Sequence, residues 1–357
     1  MLSTFEETMK KLVNKLRNRK KTPPPSRITS DTIDQHREHI LAGGRKFKYP
    51  IQYSRHKLIY NAIIISVSVI IIALIFGWWQ LYPQQNTSEF MYRVTKILPV
   101  PVANVDGQPV LYSDYLMKYL SQVHYLVNIE RVNIKTDNGK RQIDYIKQQS
   151  MQGVIADAYA LKLSKNLGVS VSKSEIDASI RDQRKTSDGT ETTKQAYDAI
   201  TLDYYNWSPD EYSHVTKSGL VRQKVMYAMD KDALKTANSV SDALKKDPQA
   251  DLKNLATTTI TKADAKATYG SSGWVPNTNQ DGGLTVEAAK LKKSEISSVI
   301  KSTLDKGFYV IRLIDTKDDQ VKYEYINIPL TAFTKSLENL KKSGKISEYI
   351  SIPKSIN

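Results

Sequence analysis

Side chains able to do chemistry are scarce in this chain. It has no cysteine and five histidines in 357 residues, which excludes thiol nucleophiles and cysteine–zinc sites. It contains no Gly-x-Ser-x-Gly elbow, phosphate-binding Gly-Lys-Ser/Thr loop, His-Glu-x-x-His pair or Gly-x-Gly-x-x-Gly turn. Only His124 and His214 follow the long apolar run described below; the first reads as a partly buried helix residue, the second as a surface one. Asp177, Asp182, Asp188 and Glu191 are scattered carboxylates that read as a solvated surface rather than a cation site. No cofactor or metal is expected. Tyrosine, by contrast, is abundant: 21 residues against 6 phenylalanines. Its ring is apolar and its hydroxyl wet, so Tyr115, Tyr119, Tyr159, Tyr204 and Tyr205, together with Trp207, have two readings. They are either helix-packing residues or a cradle in which amphipathic rings hold many polypeptide sequences weakly. The six are the candidate binding residues.

The elements that must position them are mostly helical. An Asp106-Gly107 turn joins two short strands after residue 100, with Ser113 as the expected cap of a helix over residues 115–129. A long helix over 143–167 closes on Gly168. Ser172 and Glu175 form a capping box for the next helix, and Ser208 with Pro209 opens another that reaches about residue 228. From residue 236 the pattern changes to short helices over 236–246 and 250–256, a turn-rich stretch over 269–283 and a short helix near 286–292. Strands follow over 307–315 and 321–328, and an amphipathic helix is expected over 330–349. The fold class is α+β, a mostly helical part with a small α+β module appended.

Upstream lies the strongest signal. Residues 58–88 carry no charge, and the centre of the run is almost wholly Ile, Val, Ala and Leu. About 20 helical residues cross a hydrocarbon layer of about 30 Å, and Trp78, Trp79 and Tyr82 supply an interfacial belt. The alternative, a buried core helix, seldom runs this long without a charge. A cleaved signal peptide would need a shorter core and a small-residue cleavage site. Of 52 basic and 37 acidic residues, 14 and 5 respectively precede Leu58, so the net charge of +15 is concentrated on one flank and does not point to nucleic acid. That flank is expected in the cytoplasm. The expected organisation is a basic cytoplasmic segment (1–57), a transmembrane helix (58–81), a polar linker (82–99) and an extracytoplasmic remainder in the plasma membrane. Residues 1–21 read either as a short basic amphipathic helix on anionic lipid or as a solvated tail, ended by Pro23-Pro24-Pro25; residues 27–57 read as poorly ordered.

Three stretches together resemble a known family. These are Val102-Ala-Asn-Val-Asp106-Gly-Gln-Pro-Val110, the helix break Leu167-Gly168-Val-Ser-Val-Ser172-Lys-Ser-Glu175, and the run from Gly273-Trp274 through Leu291-Lys-Lys-Ser-Glu-Ile-Ser297 to Gly307-Phe-Tyr-Val-Ile311. In order and spacing they are similar to extracytoplasmic foldases, including the PrsA lipoproteins, built from a SurA-type N-terminal chaperone domain and a parvulin-type peptidyl-prolyl isomerase domain. The resemblance implies a chaperone domain over 100–232, a parvulin-like domain over 233–328 and a C-terminal helix (329–357) that returns to the chaperone part. It also implies unfolded or nascent polypeptides as partners. The parvulin proline pocket maps onto Gln280, Leu284 and Tyr309, where the family has an apolar pair and a histidine. A family strand expected before the residue-236 helix has no counterpart, and residues 321–328 are expected to supply it from the C-terminal side. Lowering an 18–20 kcal/mol peptide-bond barrier needs a dry apolar pocket, so little or no isomerase activity is expected. Three functions stay open: a tethered chaperone, an isomerase with a rearranged site, or a surface protein that binds one partner.

Overall fold

A computed structural model describes residues 29–48, 50–186, 189–261, 265–304 and 306–353; the expected amphipathic helix over 1–21, the proline run and Asp188 fall outside them. The chain divides into two compact units, Met1–Trp78 and Trp79–Asn357. In the first, α1 (Ser30–Lys48) and α2 (Pro50–Leu81) are helical, which corrects the expectation of a poorly ordered 27–57. The start of α1 is set locally: the Thr29 amide donates to the Thr32 hydroxyl at 2.8 Å and Asp31 sits in the first turn, against the helix dipole. Helix α2 opens on Pro50, whose missing N–H costs nothing at a first position. Its stretch His56–Leu81 is long and apolar enough to cross a membrane, with none of its most apolar window buried.

The second unit begins with the last turn of α2. Leu81 is buried, and its carbonyl accepts from the Tyr112 hydroxyl at 2.7 Å. The Tyr82 hydroxyl donates to the Pro101 carbonyl at 2.6 Å. Residues 82–99 are therefore no polar spacer: α3 (Glu89–Ile97), capped by Ser88, buries Met91 and Thr95. Strands β1 (Pro101–Val105) and β2 (Gln108–Leu111) pair antiparallel through a turn in which Asp106 and Gly107 take positive φ of 48° and 87°, the geometry that suits Asp-Gly. Helix α4 (Tyr112–His124) starts one residue before Ser113, with no side-chain cap, and widens into a π turn over Tyr125–Ile129. Helix α5 (Asp137–Leu167) starts earlier than expected because Thr136 accepts from the Gly139 amide. It ends on Gly168 at φ 64°. Helices α6 (Lys173–Gln183) and α8 (Pro209–Met229) both carry capping boxes, Ser172/Glu175 and Ser208/Glu211, and α7 (Lys194–Tyr205) lies between them.

Helices α9 (Lys231–Lys246) and α10 (Leu252–Thr258) cover a four-stranded antiparallel sheet of order β3-β6-β5-β4. Its strands are β3 (Thr268–Pro276), β4 (Ile300–Lys301), β5 (Gly307–Lys317) and β6 (Gln320–Pro329), with α11 (Leu284–Ala288) between β3 and β4. Alternation on β5 and β6 divides their side chains between two cores. Phe308, Val310, Ile326 and Ile328 join the main core of α4, α5, α8 and α9; Tyr309, Ile311, Leu313, Val321 and Tyr323 pack with Leu284, Ala288 and Ile300 on the other face. Tyr227 on α8 bridges the parts. Its ring stands edge-on to Phe308 at 5.1 Å, and its hydroxyl lies 2.9 and 2.8 Å from the Ser302 and Gly307 carbonyls.

The C-terminus departs from the expected single helix over 330–349. Helix α12 (Ala332–Lys342) stops before Gly344, which takes φ 68°, and the chain straightens into β7 (Ile346–Glu348). The amphipathic period runs on past the break, which is why sequence alone continues the helix. Strand β7 pairs antiparallel with β1, completing a β2-β1-β7 sheet. On α12, Phe333 packs on Tyr159 at 5.4 Å, and the Ser336 and Tyr159 hydroxyls are 2.6 Å apart. Buried Asp230 holds two starts at once: Oδ1 accepts from the Ala233 amide (3.0 Å) at the head of α9, and Oδ2 from the Thr331 and Ala332 amides (2.7 and 3.0 Å) at the head of α12.

Candidate functional site

A cleft of about 610 Å³ opens among α4, the π turn, the first turns of α5, and the α7–α8 junction. Local rules place each wall. Asn206 ends α7 in the left-handed conformation (φ 53°), reversing the chain so that Trp207 points back beside Tyr205; their rings stack at 5.1 Å and 26°. Ser208 then accepts from the Glu211 amide while Glu211 accepts from the Ser208 amide, fixing where α8 begins. Burial raises the Glu211 carboxyl, but hydrogen bonds from Tyr92, Ser208 and Lys96 outweigh it and bring it down to about 2. The Tyr92 hydroxyl is pushed well above its ordinary range by burial and by that bond. On the opposite wall the π turn brings Tyr125 and Leu126 to the cleft, a frequent use of a widened helical turn. The His124 ring nitrogen lies 2.8 Å from the Asp203 carbonyl, pinning α4 to α7.

The lining is apolar with polar points. Tyr125, Tyr145, Tyr205 and Trp207 give aromatic surface, Leu126, Ile146 and Val215 aliphatic surface, and Lys118 and Glu130 opposite charges. Lys118 is held by Asp157, which also meets Arg222 at 3.0 Å. Two buried polar atoms of lining residues have no partner: Nε1 of Trp207, a donor, and Oε1 of Gln142, an acceptor. A second cavity of about 280 Å³, between α3 and the same junction, shares Ser121 and Trp207 with the first.

The sequence candidates divide. Tyr205 and Trp207 line the cleft, and Tyr204 stands next to it, its ring 6.4 Å from both Tyr125 and Tyr205. Tyr115, Tyr119 and Tyr159 do not: at 1%, 7% and 5% exposure they are core residues. Tyr115 packs edge-on to Tyr112 and stacked on Tyr119, and burial pushes its hydroxyl up. They hold the walls and touch no ligand that enters from solvent. Sequence reasoning missed Lys118 and Gln142 as cleft residues, ordinary polar helix positions that no pattern singles out; Ile146 belongs to the apolar face of its helix and is buried at the cleft's edge. The scattered carboxylates pair with nearby cations, Asp177 with Lys173, Asp182 with Lys185 and Glu191 with Arg184. His214 is exposed, and its Nε2 lies 3.0 Å from Asp114, whose hydrogen bond raises the imidazole above its usual value.

Of the proline-pocket positions, Leu284 and Tyr309 meet in the smaller core, 5% and 3% exposed. Gln280 is exposed, and its side-chain amide donates to the Lys185 carbonyl, away from the other two. The face they would share is packed with the chain's own residues. There Asp281 accepts from the Tyr323 hydroxyl and from the Thr285 hydroxyl and amide.

Residues 51–226 match the SurA-like N-terminal domain. The matched stretch opens inside α2 and closes within α8, so every cleft-lining residue falls in the SurA-like domain, while Gln280, Leu284 and Tyr309 lie beyond it. No curated protein matches the chain significantly.

Proposed function

We propose that the protein is a membrane-tethered extracytoplasmic chaperone whose SurA-like domain holds apolar, aromatic-containing segments of unfolded or newly translocated polypeptides. The observation that carries this is the cleft itself, whose wall of Tyr125, Tyr145 and the stacked Tyr205–Trp207 pair is aromatic and largely apolar. Apolar, aromatic walls of this kind bind many sequences and ask little of the client's side chains. The apolar helix anchors it, and the basic flank before Leu58 keeps residues 1–57 on the cytoplasmic side. Tethering raises the local concentration of chaperone where chains emerge. The sheet module is a parvulin-like fold in a binding or spacing role. In support of this, β6 occupies a central place in the sheet, between β3 and β5, as expected for a strand supplied from the C-terminal side. Its proline-pocket face is filled from within.

The test is suppression of aggregation of a chemically denatured model protein by the full chain in lipid nanodiscs. Wild type suppresses it at near-stoichiometric ratios. Trp207→Ala, by analogy with interface anchors, weakens client affinity by about 2 kcal/mol or more, roughly 30-fold. Absence of suppression at molar excess, or an unchanged affinity in Trp207→Ala with Tyr205→Ala, would remove the proposal.

A further inference from the structure

The two most exposed large apolar side chains in the described structure belong to neither the cleft nor the membrane-length helix. They are Ile97 (81%) and Phe90 (70%), both on α3, above every large apolar side chain from Leu58 to Trp79. Seven positions apart, they share one face of the helix, away from the buried Met91 and Thr95; Leu98, 50% exposed, follows Ile97 directly as the extended residue that ends the helix. Nothing in the compact unit covers them.

Their place in the chain says what does. The unit grips the end of α2 directly: Leu81 is in its core, and Tyr112 and Tyr82 tie residues 81–82 to α4 and β1 by hydrogen bonds. The chain then doubles back. The Gln84 amide donates to the Trp79 carbonyl (3.1 Å) and the Asn86 amide to the Gln80 carbonyl (2.9 Å), and the Asn86 side chain bonds Gln80 again at 2.9 Å. The first residue of α3, Glu89, is three positions after Asn86, so α3 starts within about 14 Å of the Gln80 carbonyl at full extension. A nine-residue helix is itself only about 13 Å long. Headgroup layers are some 5–8 Å deep on each side of the hydrocarbon, and interfacial helices sink about 5–10 Å into that boundary.

We infer that α3 is a membrane-interface helix: Phe90, Ile97 and Leu98 insert into the leaflet at which α2 ends, seating the domain on the bilayer rather than letting it swing from a tether. This rests on the reading of α2 as a membrane span. The attraction is apolar rather than ionic. Arg93 is opposed by Glu89 at 3.9 Å and Lys96 by Glu211 at 3.1 Å, so the helix brings little free charge to anionic lipid, and added salt leaves the insertion in place.

Because the chain has no cysteine, single-cysteine variants of the full chain take one label each. Phe90→Cys, Ile97→Cys, Leu304→Cys and Ile70→Cys are labelled with an environment-sensitive fluorophore and reconstituted into phosphatidylcholine/phosphatidylglycerol vesicles. Leu304 is an exposed control at 63%, and Ile70 lies within the span. Probes at 90 and 97 are expected to emit blue-shifted, to be quenched by shallow lipid-borne nitroxide and to resist aqueous iodide, at low and high salt alike; the Leu304 probe is quenched by iodide. Iodide reaching positions 90 and 97 as fully as 304, with Ile70 still shielded, overturns the inference and leaves the span standing. Iodide reaching Ile70 as well removes the span and the inference with it.

Discussion

Replacing Asp230 by alanine tests whether the sheet module, the C-terminal return and the SurA-like helices are one cooperative structure. The carboxylate is 4% exposed and accepts three amide hydrogens, one at the start of α9 and two at the start of α12. Losing an N-cap to alanine costs about 0.5–2 kcal/mol. The Thr331 and Ala332 amides also lose a charged acceptor, each such buried donor being worth about 1–3 kcal/mol before water relaxes into the gap. Together these give about 2–4 kcal/mol. Asp230→Asn keeps one oxygen, so the α9 cap survives, but its amide nitrogen then faces two donors at α12; it recovers about 1–2 kcal/mol of the loss. Urea unfolding of the full chain in detergent reads this, with Trp207 reporting the SurA-like domain and Trp274 on β3 reporting the sheet, each isolated by Trp→Phe changes at Trp78, Trp79 and the other reporter. With a slope near 3 kcal/mol per molar, both midpoints fall together by about 1 M at unchanged slope. A loss below about 0.5 kcal/mol, or a Trp274 transition that moves while the Trp207 transition stays, would refute the coupling.

Helix α5 offers glycine substitutions of opposite sign. A Cβ on Gly139 would meet the Asn133 carbonyl oxygen at 2.2 Å and the Ile134 Cα at 2.5 Å, so Gly139→Ala lowers stability by about 1–3 kcal/mol despite better helix propensity. At Gly153 the nearest atom is the flexible end of Lys118 at 3.6 Å, and alanine raises stability by up to about 1 kcal/mol; thermal melts rank the two. Glu211 sits at about 2 in the fold, below its unfolded value near 4.5, so its contribution is complete above pH 4.5 and lost as pH falls toward 2. Glu211→Gln therefore flattens the acid limb of a stability–pH curve over that window, and an unchanged limb counts against the Tyr92–Glu211–Lys96 network. In a short X–Pro peptide assay the wild-type chain gives no acceleration over the uncatalysed rate; acceleration abolished by Leu284→Ala or Tyr309→Phe would revive the isomerase reading.

Local grammar was legible in the sequence and long-range assembly was not. The Asp106-Gly107 turn, the Gly168 stop and the Ser172 and Ser208 boxes are short patterns that report the backbone directly, and the structure has each of them. The alternation over β5 and β6 likewise marked strands with two apolar faces. Strand β7 has three residues and no pattern of its own; only its partner β1 makes it a strand. The linker misled because its polar composition hides Met91 and Thr95, whose burial depends on α4 lying beside them. The cleft was half visible. Tyr205 and Trp207 flank a readable cap, whereas Lys118 and Gln142 are ordinary helix residues until α4 and α5 are packed together. Tyrosine itself is ambiguous, since the same ring serves a core at Tyr115 and a cleft wall at Tyr205; neighbours decide, and they come from elsewhere in the chain.

The pairing of β1 with β7 also sets an order of events. Ala103 lies a short way past the apolar helix, yet its ladder partner is Glu348, almost the last residue described. A chain made from its N-terminus presents β1 early and must leave one of its edges bare until β7, more than two hundred residues later, has followed. Closing so long a loop is slow, and an open strand edge invites wrong partners meanwhile. The protein would thus pass through the very condition, a sheet with an open edge, from which it is proposed to protect others.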